Sequence, residues 1–245
     1  MDGDLWVVMP VYNEGPALEA ALREWTAAVR AVVSDARFCV VDDGSTDETP
    51  AVLARCVGQL PGLRVLGQPN RGHGQACLAA YRAALGGGAG WVLQVDSDGQ
   101  CDARHFGALW AARHDAPAVL GRRRRRADGL ARTLVSRVLA LVVRAGTGRW
   151  LRDANSPYRL MRSDVLTAAL ARIPADVSLA NVLVAVDLET HTTIRWVDVG
   201  FRARARPTPI RPRYFVMQAR RLWRDLRRYR EAGMLRGGRS ATSDP

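Results

Sequence analysis

The chain has 245 residues, 48% of them hydrophobic, and a formal net charge of +12. This length and hydrophobic share suffice for one α/β core, so we expect one folded domain rather than two. No apolar run approaches the roughly 18 residues that a membrane-spanning helix needs. The amino terminus also lacks the basic and apolar regions of a secretory signal peptide. We therefore expect a cytoplasmic protein, either soluble or peripheral at the inner face of the membrane.

The four cysteines show no paired spacing typical of metal ligands. We predict that they are reduced residues of the core, which fits a reducing compartment. They are Cys39, Cys56, Cys77 and Cys101. The four histidines form no metal-binding motif either, and only His73, which lies between two glycines, is of functional interest.

Strand and helix patterns alternate four times in the first hundred residues. The predicted elements are, in order, a buried strand at 5–12, a helix to about residue 33, a strand at 37–43, a capped helix, a strand at 63–66, a helix at 75–85 and an apolar strand that ends at Asp96. This βαβ pattern predicts a mostly parallel sheet flanked by helices, with polar residues gathered at one edge.

Two carboxylates, Asp96 and Asp98, directly follow the last of these strands. A buried parallel strand delivers the residues after it into the crevice above the sheet, where open α/β folds bind ligands. Mg²⁺ and Mn²⁺ prefer one or two carboxylates together with phosphate oxygens. The pattern therefore indicates a metal and diphosphate site, although the two residues alone would also fit a solvated surface turn.

Four motifs in this half of the chain resemble, in order and in spacing, the nucleotide-sugar motifs of family 2 glycosyltransferases. They are Val8-Met-Pro10-Val-Tyr12-Asn13-Glu14, Val40-Val41-Asp42-Asp43-Gly44-Ser45-Thr46-Asp47, Asn70-Arg-Gly72 and Asp96-Ser-Asp98-Gly-Gln100. The resemblance covers roughly residues 5–206. It implies the GT-A fold, a single Rossmann-like and mostly parallel sheet flanked by helices.

The second half is similar to the dolichyl-phosphate mannose synthase branch of that family, the polyprenyl-phosphate glycosyltransferases. The segments that carry this similarity are Gly121-Arg122-Arg123, Leu130 to Arg137 and Asp153 to Leu160. The chain departs from the family pattern in two places. Pro157-Tyr158-Arg159 stands where relatives usually have Gly-Phe-Arg, so a permissive backbone position is lost. Residues 207–212 replace an Arg-x-Gly-x-Ser pattern that is common in relatives. The neighbouring Arg206 therefore lacks the sequence that usually follows it.

The resemblance implies which residues bind the donor, a nucleoside-diphosphate sugar. These donor-binding residues are Pro10, Tyr12, Glu14, Val41, Asp43, Asp96, Ser97, Asp98 and Arg206. A Mg²⁺ or Mn²⁺ ion held by Asp98, with Asp96 and Gln100, would neutralise the departing diphosphate, which makes Asp98 a catalytic candidate. Arg206 would add a fixed positive charge there. An ordinary strand end explains Val41 equally well, and Pro10 likewise.

The nature of the acceptor decides whether the reaction needs a general base. A lipid phosphate is already an oxyanion, so it can attack the anomeric carbon while Arg123, Arg132 and Ser136 bind it. A hydroxyl acceptor would need a carboxylate, and Asp153 lies at about the place where hydroxyl-transferring relatives carry theirs, so it is the second catalytic candidate. The alternative for Asp153 is an Asx turn or a bond to Arg159.

All 36 basic residues are arginines, and they are clustered. Codon bias explains the absence of lysine but not the clusters at 122–126, at 202–213 and on a terminal helix. Because guanidinium groups bind phosphates well, nucleic acid is an alternative partner. The chain has no nucleic-acid-binding motif, and its arginines share the part of the chain that carries the predicted acceptor site. We therefore expect no nucleic acid to bind.

Residues 214–233 predict an amphipathic helix with apolar and aromatic residues on one face and arginines on the other. Such a helix fits an anionic membrane surface and fits docking on the protein's own core equally well. The predicted organisation is a glycosyltransferase domain at 1–206, a basic linker with this helix at 207–233 and a disordered tail at 234–245.

These patterns predict an inverting, metal-dependent glycosyltransferase that moves a hexose from a nucleoside-diphosphate sugar to a polyprenyl phosphate at the cytoplasmic membrane surface. The first alternative is the same fold acting on a small soluble hydroxyl acceptor. The second is a non-catalytic basic protein that binds nucleic acid or lipid. A dead scaffold has no chemical reason to keep Glu14, Asp43, Asp96 and Asp98, which argues against the second alternative.

Overall fold

The computed structural model of the chain describes residues 4–123, 129–149, 151, 153, 156–202 and 212–235. The strands are β1 (Leu5–Val11), β2 (Arg37–Asp42), β3 (Leu63–Gly67), β4 (Trp91–Gln94), β5 (Ala118–Arg123), β6 (Arg159–Arg162) and β7 (Ile194–Val199). The α-helices are α1 (Ala17–Arg30), α2 (Thr49–Gln59), α3 (His73–Gly86), α4 (Phe106–Ala111), α5 (Gly129–Thr147), α6 (Ser163–Arg172), α7 (Ala180–His191) and α8 (Pro212–Glu231).

The predicted alternation of strands and helices in the first hundred residues is confirmed. Helix α3 begins at His73 rather than at the expected Gln75. The reason is local, because Gly72 before it has a φ of 88°, a left-handed conformation that glycine adopts without strain.

The seven strands form one sheet in the order β3-β2-β1-β4-β6-β5-β7. All neighbours are parallel except β6, which runs antiparallel to both β4 and β5. Strands β1, β2, β4, β5 and β7 therefore all end at the same edge of the sheet. The chain turns from one side of β1 to the other between β3 and β4, so the topological switch point lies between the ends of β1 and β4.

Each face of the sheet is covered by a hydrophobic cluster. Side chains of α3, α5, α6, α7 and α8 pack on one face, and those of α1, α2 and α4 pack on the other. Successive residues of β1, such as Val7 and Val8, belong to opposite clusters because side chains alternate along a strand. This two-sided burial explains why the central strands are continuous apolar runs.

Helix α8 docks on the core through one side and exposes the other. Leu222, Leu226 and Tyr229 are fully buried, and Leu226 packs against Gly146 of α5. Trp223, grouped with these residues on a single predicted face, is 39% exposed. It lies at about 100° around the helix from Leu222, at the border of the buried stripe.

All four cysteines are free and buried, as predicted. Among the helices of the described residues, none combines the length and apolar content needed to cross a membrane. The predicted disordered tail lies outside the described residues from position 236 onward.

Candidate active site

A cavity of about 350 Å³ opens at the switch point, above the ends of β1, β2 and β4. Its walls contain most of the predicted donor-binding residues. The lining residues are Pro10, Val11, Tyr12, Glu14, Asp43, Asn70, Gly72, His73, Ala76, Asp96, Ser97 and Asp98. They include four carboxylates and, within the part of the chain that the structure describes, no arginine.

The turn after β1 is held by the turn after β2. The Asn13 backbone N–H donates to the Ser45 hydroxyl at 2.9 Å, and the Thr46 N–H donates to the Asn13 side-chain oxygen at 2.8 Å. The Thr49 hydroxyl accepts from the N–H of Glu14 at 3.0 Å. The first two sequence motifs therefore form one unit, which fixes Glu14 at the cavity wall.

Asp43 anchors the turn that leads into α3. Its buried carboxylate accepts from the Gln68 side-chain amide at 2.7 Å and from the backbone N–H groups of Arg71 and Gly72 at 2.9 and 2.8 Å. A side chain at Gly44 would collide with the Asn70 backbone, 2.7 Å from the Cβ position, so this turn requires glycine. Asp43 thus shapes the cavity wall as well as lining it.

The loop after β4 presents the Asp-x-Asp carboxylates. Asp96 Oδ1 accepts from the Gln94 amide at 3.1 Å, and Asp98 Oδ1 accepts from the Gln100 N–H at 3.0 Å. The Ser97 hydroxyl donates to Glu14 at 3.3 Å, which joins this loop to the turn after β1. The carboxylates of Asp96 and Asp98 therefore face one cavity, and the Glu14 carboxylate forms part of its wall.

Gln100, a predicted metal ligand, bridges to the segment after β7. Its side-chain amide donates to the Arg202 carbonyl at 3.4 Å, and the Arg202 N–H donates to the Gln100 carbonyl at 2.9 Å. Arg202 in turn pairs with Glu24 of α1 at 2.6 Å. This bridge brings the Asp-x-Asp loop next to the segment that continues to Arg206, although Arg206 itself lies outside the described residues.

Of the three predicted acceptor residues, one ends a strand at this edge of the sheet and two lie on the helix that follows. Arg123 ends β5 there, and α5, which contains Arg132 and Ser136, begins six residues later. The structure describes the backbone of these three residues and not their side chains. Asp153 is buried, with 6% of its surface exposed, and its backbone carbonyl accepts from the Ser156 N–H.

Two other predicted residues lie beneath the cavity. Val41 is 1% exposed and packs in the core cluster under α3, with its backbone aligned to Pro10 of β1. Arg159 is fully buried and donates to the carbonyls of Ser156 and Asn181.

His73 is the residue whose position the sequence left most open. Its half-exposed ring lines the cavity with Nε2 3.7 Å from Asp96 Oδ1, 3.6 Å from the Cys77 sulfur and 3.0 Å from the Asn181 side-chain amide. Cys77 and, after it, Asp96 raise the pKa of His73 above its ordinary value. Asn181 lies 108 residues further along the chain, and no local pattern indicates this contact.

A divalent cation fits this arrangement only when a bound molecule supplies further oxygen ligands. Within the described ranges, no three His, Cys, Asp or Glu side chains are grouped so as to hold a metal ion by themselves. Asp96 and Asp98 offer hard oxygen ligands to the same space, which suits Mg²⁺ or Mn²⁺ when phosphate oxygens complete the coordination.

Solved structures with a similar fold are glycosyltransferases of the GT-A class. Glucosyl-3-phosphoglycerate synthase from Mycobacterium tuberculosis, crystallised with Mn²⁺, uridine diphosphate and phosphoglyceric acid, aligns with a TM-score of 0.65 and 20% identity over 93% of this chain and 78% of that one. Mannosyl-3-phosphoglycerate synthase from Rubrobacter xylanophilus aligns with a TM-score of 0.62 and 18% identity over 99% and 79%. The predicted GT-A fold is confirmed.

A sequence model described as glycosyl transferase family 2 matches residues 6–170, and the chain belongs to this family. Undecaprenyl-phosphate 4-deoxy-4-formamido-L-arabinose transferases from Serratia proteamaculans and Edwardsiella ictaluri are 30% and 32% identical to it over 168 residues. That alignment covers 67% of this chain and 50% of each relative, so the chain spans about half the length of the curated relatives it matches. The predicted family resemblance is confirmed.

Proposed function

We propose that the chain is an inverting, metal-dependent glycosyltransferase that moves a hexose from a nucleoside-diphosphate sugar to a polyprenyl phosphate at the cytoplasmic membrane surface. The observation that carries this proposal is the composition of the cavity. Four carboxylates, Glu14, Asp43, Asp96 and Asp98, line one space at the switch point of a GT-A sheet. A ligand for this space has to compensate the negative charge of these carboxylates.

The charge of the cavity supports metal dependence. A diphosphate is itself an anion, and four carboxylates outnumber the His73 ring in the cavity wall, so they would repel it unless a cation lies between them. Asp98, with Asp96, would hold Mg²⁺ or Mn²⁺ there, and the bound ion would neutralise the charge that develops on the departing diphosphate. A relative of the same fold crystallised with Mn²⁺ and uridine diphosphate supports this choice of ligand class.

The proposed reaction is a single displacement at the anomeric carbon. An oxygen of the acceptor phosphate forms the new bond to that carbon while the bond to the donor diphosphate breaks, and the electron pair leaves with the nucleoside diphosphate. Attack from the face opposite the leaving group inverts the anomeric configuration. Tyr12 and Glu14 on one side, with Ser97 and Asp98 on the other, would orient the donor for this attack.

A phosphate acceptor fits the site better than a hydroxyl acceptor. A phosphate monoester needs no general base, whereas a hydroxyl would require one within reach. Asp153, the candidate base, is almost fully buried, which leaves it little access to an acceptor. Arg123 ends β5 at the sheet edge where the cavity opens, and Arg132 and Ser136 lie on the helix that follows; we propose that these residues bind the acceptor phosphate. The names of the two relatives also state an undecaprenyl-phosphate substrate.

The course of helices α5 and α8 supports contact with a membrane near the cavity. Arg149, just after α5, donates to the Glu189 carbonyl, and the carbonyl of Met234, just after α8, contacts His191. Both helices therefore end beside the last turn of α7. The first turn of α7 carries Asn181, next to the cavity, so the amino ends of α5 and α8 lie toward the cavity end of the molecule.

The exposed face of α8 has the chemistry of an interfacial surface. Val216 and Met217 are 49% and 37% exposed, and Trp223 is 39% exposed. Exposed arginines at Arg220, Arg224 and Arg227 flank these apolar side chains. Aromatic and apolar groups can enter the headgroup region while guanidinium groups bind anionic phosphates. We place this face against an anionic membrane, which would deliver a lipid acceptor to the cavity.

One experiment separates the proposal from its alternatives. Purified protein is incubated with a panel of nucleoside-diphosphate sugars and Mn²⁺, with a short polyprenyl phosphate, with small hydroxyl acceptors, or with neither. We expect a sugar-phosphate-lipid product from one donor and none from Asp98→Asn. Transfer to hydroxyls alone would establish the soluble-acceptor alternative, and absence of donor binding or turnover would favour a non-catalytic protein.

A further inference from the structure

A chain of polar side chains, most of them buried, lies behind Asp96. The Tyr81 hydroxyl of α3 donates to Gln94 Oε1 at 3.0 Å, and the Gln94 amide nitrogen donates to Asp96 Oδ1 at 3.1 Å. Asn181 of α7 lies 3.4 Å from the Tyr81 hydroxyl and 3.0 Å from His73, whose ring returns to Asp96 at 3.7 Å. We call these four residues, Tyr81, Gln94, Asn181 and His73, the Asp96 network.

Three members of the Asp96 network are buried at positions where polar groups are costly. Tyr81 and Gln94 are 0% exposed, and Asn181 is 4% exposed. An amide or hydroxyl in such a place destabilises the fold when its hydrogen bonds are not made. An apolar side chain at position 94 would fill the same strand without that cost, so the presence of glutamine needs a reason beyond packing.

Tyr81 determines which end of the Gln94 amide faces Asp96. Burial raises the pKa of the Tyr81 hydroxyl above its ordinary value, and Cys77 and Asp96 add to the effect, so the group stays protonated and donates. A hydroxyl donor binds the amide oxygen of Gln94, which turns the amide nitrogen toward Asp96. Without this donor the amide could flip and set its oxygen against the carboxylate.

The contacts of the Asp96 network also select one oxygen of Asp96. Both the Gln94 amide and the His73 ring approach Oδ1. This leaves Oδ2 for a ligand in the cavity, since the Asp96 side chain is 26% exposed and lines that space. Asp96 is thus held in one orientation by groups that belong to β4, α3 and α7.

We infer that Tyr81, Gln94 and Asn181 are positioning residues that fix Asp96 so that its Oδ2 meets the cation or sugar of a bound nucleoside-diphosphate donor. This inference rests on the proposed function and adds residues that lie outside the donor motifs. Asn181 also lies beyond residues 6–170, the part matched by the family, so the carboxyl-terminal part of the chain helps to shape the donor site. Partners that orient a ligating group typically contribute 10–100-fold in metal affinity.

The test compares two buried tyrosines by direct binding. Tyr81→Phe removes the donor to Gln94, and Tyr229→Phe removes a hydroxyl of equal burial that donates to Asp187, away from the cavity. Calorimetry measures UDP and GDP binding in Mn²⁺, electron paramagnetic resonance measures Mn²⁺ affinity in the presence of either nucleotide, and thermal unfolding measures stability. We expect Tyr81→Phe to raise the nucleotide and Mn²⁺ Kd about tenfold or more, and Tyr229→Phe to leave both unchanged.

A second variant keeps the inference testable if Tyr81→Phe does not fold. Gln94→Glu has the same shape, but it places a carboxylate oxygen where the amide nitrogen now donates to Asp96, so it should also raise the Kd about tenfold or more. Wild-type affinity in either folded variant overturns the inference while the proposed function stands. Wild-type protein that binds neither nucleotide with Mn²⁺ overturns both.

Discussion

Buried carboxylates serve different purposes at the two ends of helix α7. At the far end, Asp187 is fully buried and forms a two-bond pair with Arg172 at 2.7 Å, while the Tyr229 hydroxyl donates to it at 2.5 Å. At the cavity end, the buried Asp43 accepts hydrogen bonds from two backbone N–H groups and from the Gln68 side-chain amide. Those donors carry no charge.

The difference concerns net charge. A carboxylate paired with a guanidinium is neutralised, so Asp187 joins α6, α7 and α8 without attracting a ligand. A carboxylate held by neutral dipoles is oriented but keeps its negative charge, so Asp43 can still bind a cation or a sugar hydroxyl. The partner of a buried carboxylate thus indicates whether it stabilises the fold or serves the site.

Replacing Asp187 should give the largest effect, and it should be an effect on stability. Asp187→Ala leaves the Arg172 guanidinium and the buried Tyr229 hydroxyl without their acceptor, so we expect a loss of about 3 kcal/mol or more in the free energy of unfolding. Urea denaturation measures it. Asp164→Ala, which breaks the exposed pair with Arg162, should cost less than about 1 kcal/mol. Equal losses in the two variants would contradict the structural role of Asp187.

Replacing Asp98 should affect activity instead of stability. Asp98→Asn removes a charge that would hold the cation, so we expect a loss of about 3 kcal/mol in transition-state stabilisation. This loss should lower kcat/KM more than about 100-fold. Thermal unfolding should change little. Asp115→Asn, an exposed aspartate at the opposite edge of the sheet, is the matched control and should retain activity. Full activity of Asp98→Asn would contradict the assignment of Asp98 to the active site.

Arg132, a proposed acceptor residue on α5, should affect the acceptor alone. Arg132→Ala removes a charge-assisted contact of about 1.5–3 kcal/mol, so the KM for a short polyprenyl phosphate should rise roughly tenfold or more while donor affinity stays the same. Arg144→Ala, in the same helix, is the control.

Asp153→Asn should have only a mild effect on transfer to a phosphate acceptor. Loss of transfer in folded Asp153→Asn would instead make Asp153 a base for a hydroxyl acceptor.

The exposed face of α8 should give the smallest effect, on membrane binding. Trp223→Ala with Arg227→Glu removes one apolar anchor and reverses one charge, each worth on the order of 1 kcal/mol at an anionic surface. Sedimentation with anionic vesicles at low and high salt measures the change. Arg195→Glu, at the opposite edge of the sheet, should bind vesicles like the wild type. Equal wild-type binding to neutral vesicles, or binding to neither kind, would leave α8 as a helix that only docks on the core.

The sheet edge that carries the cavity could be predicted from the sequence because its parts are local. Strands β1, β2 and β4 are mostly apolar runs, and the polar residues directly after each strand must lie at its end, so the sequence predicts that Tyr12, Asp43 and Asp98 lie together. The turn residues Ser45 and Thr46 belong to the same motifs, and the structure shows that they hold Asn13.

The Asp96 network could not be predicted because its members are far apart in the sequence. Tyr81 and Asn181 are 100 residues apart, and each fits an ordinary buried helix position on its own. The amphipathic pattern of α8 was ambiguous for a different reason, since a helix docked on a core and a helix on a membrane need the same apolar stripe. Only packing against α5 shows that Leu222 and Leu226 face inward while Trp223 does not.

The most direct test of the account is sugar transfer from a nucleoside-diphosphate sugar to a short polyprenyl phosphate, measured with and without a chelator. The carboxylate-lined cavity predicts a sugar-phosphate-lipid product that disappears when EDTA removes divalent ions and returns when Mn²⁺ is restored. Undiminished transfer in EDTA would contradict the claim that Asp96 and Asp98 act through a cation.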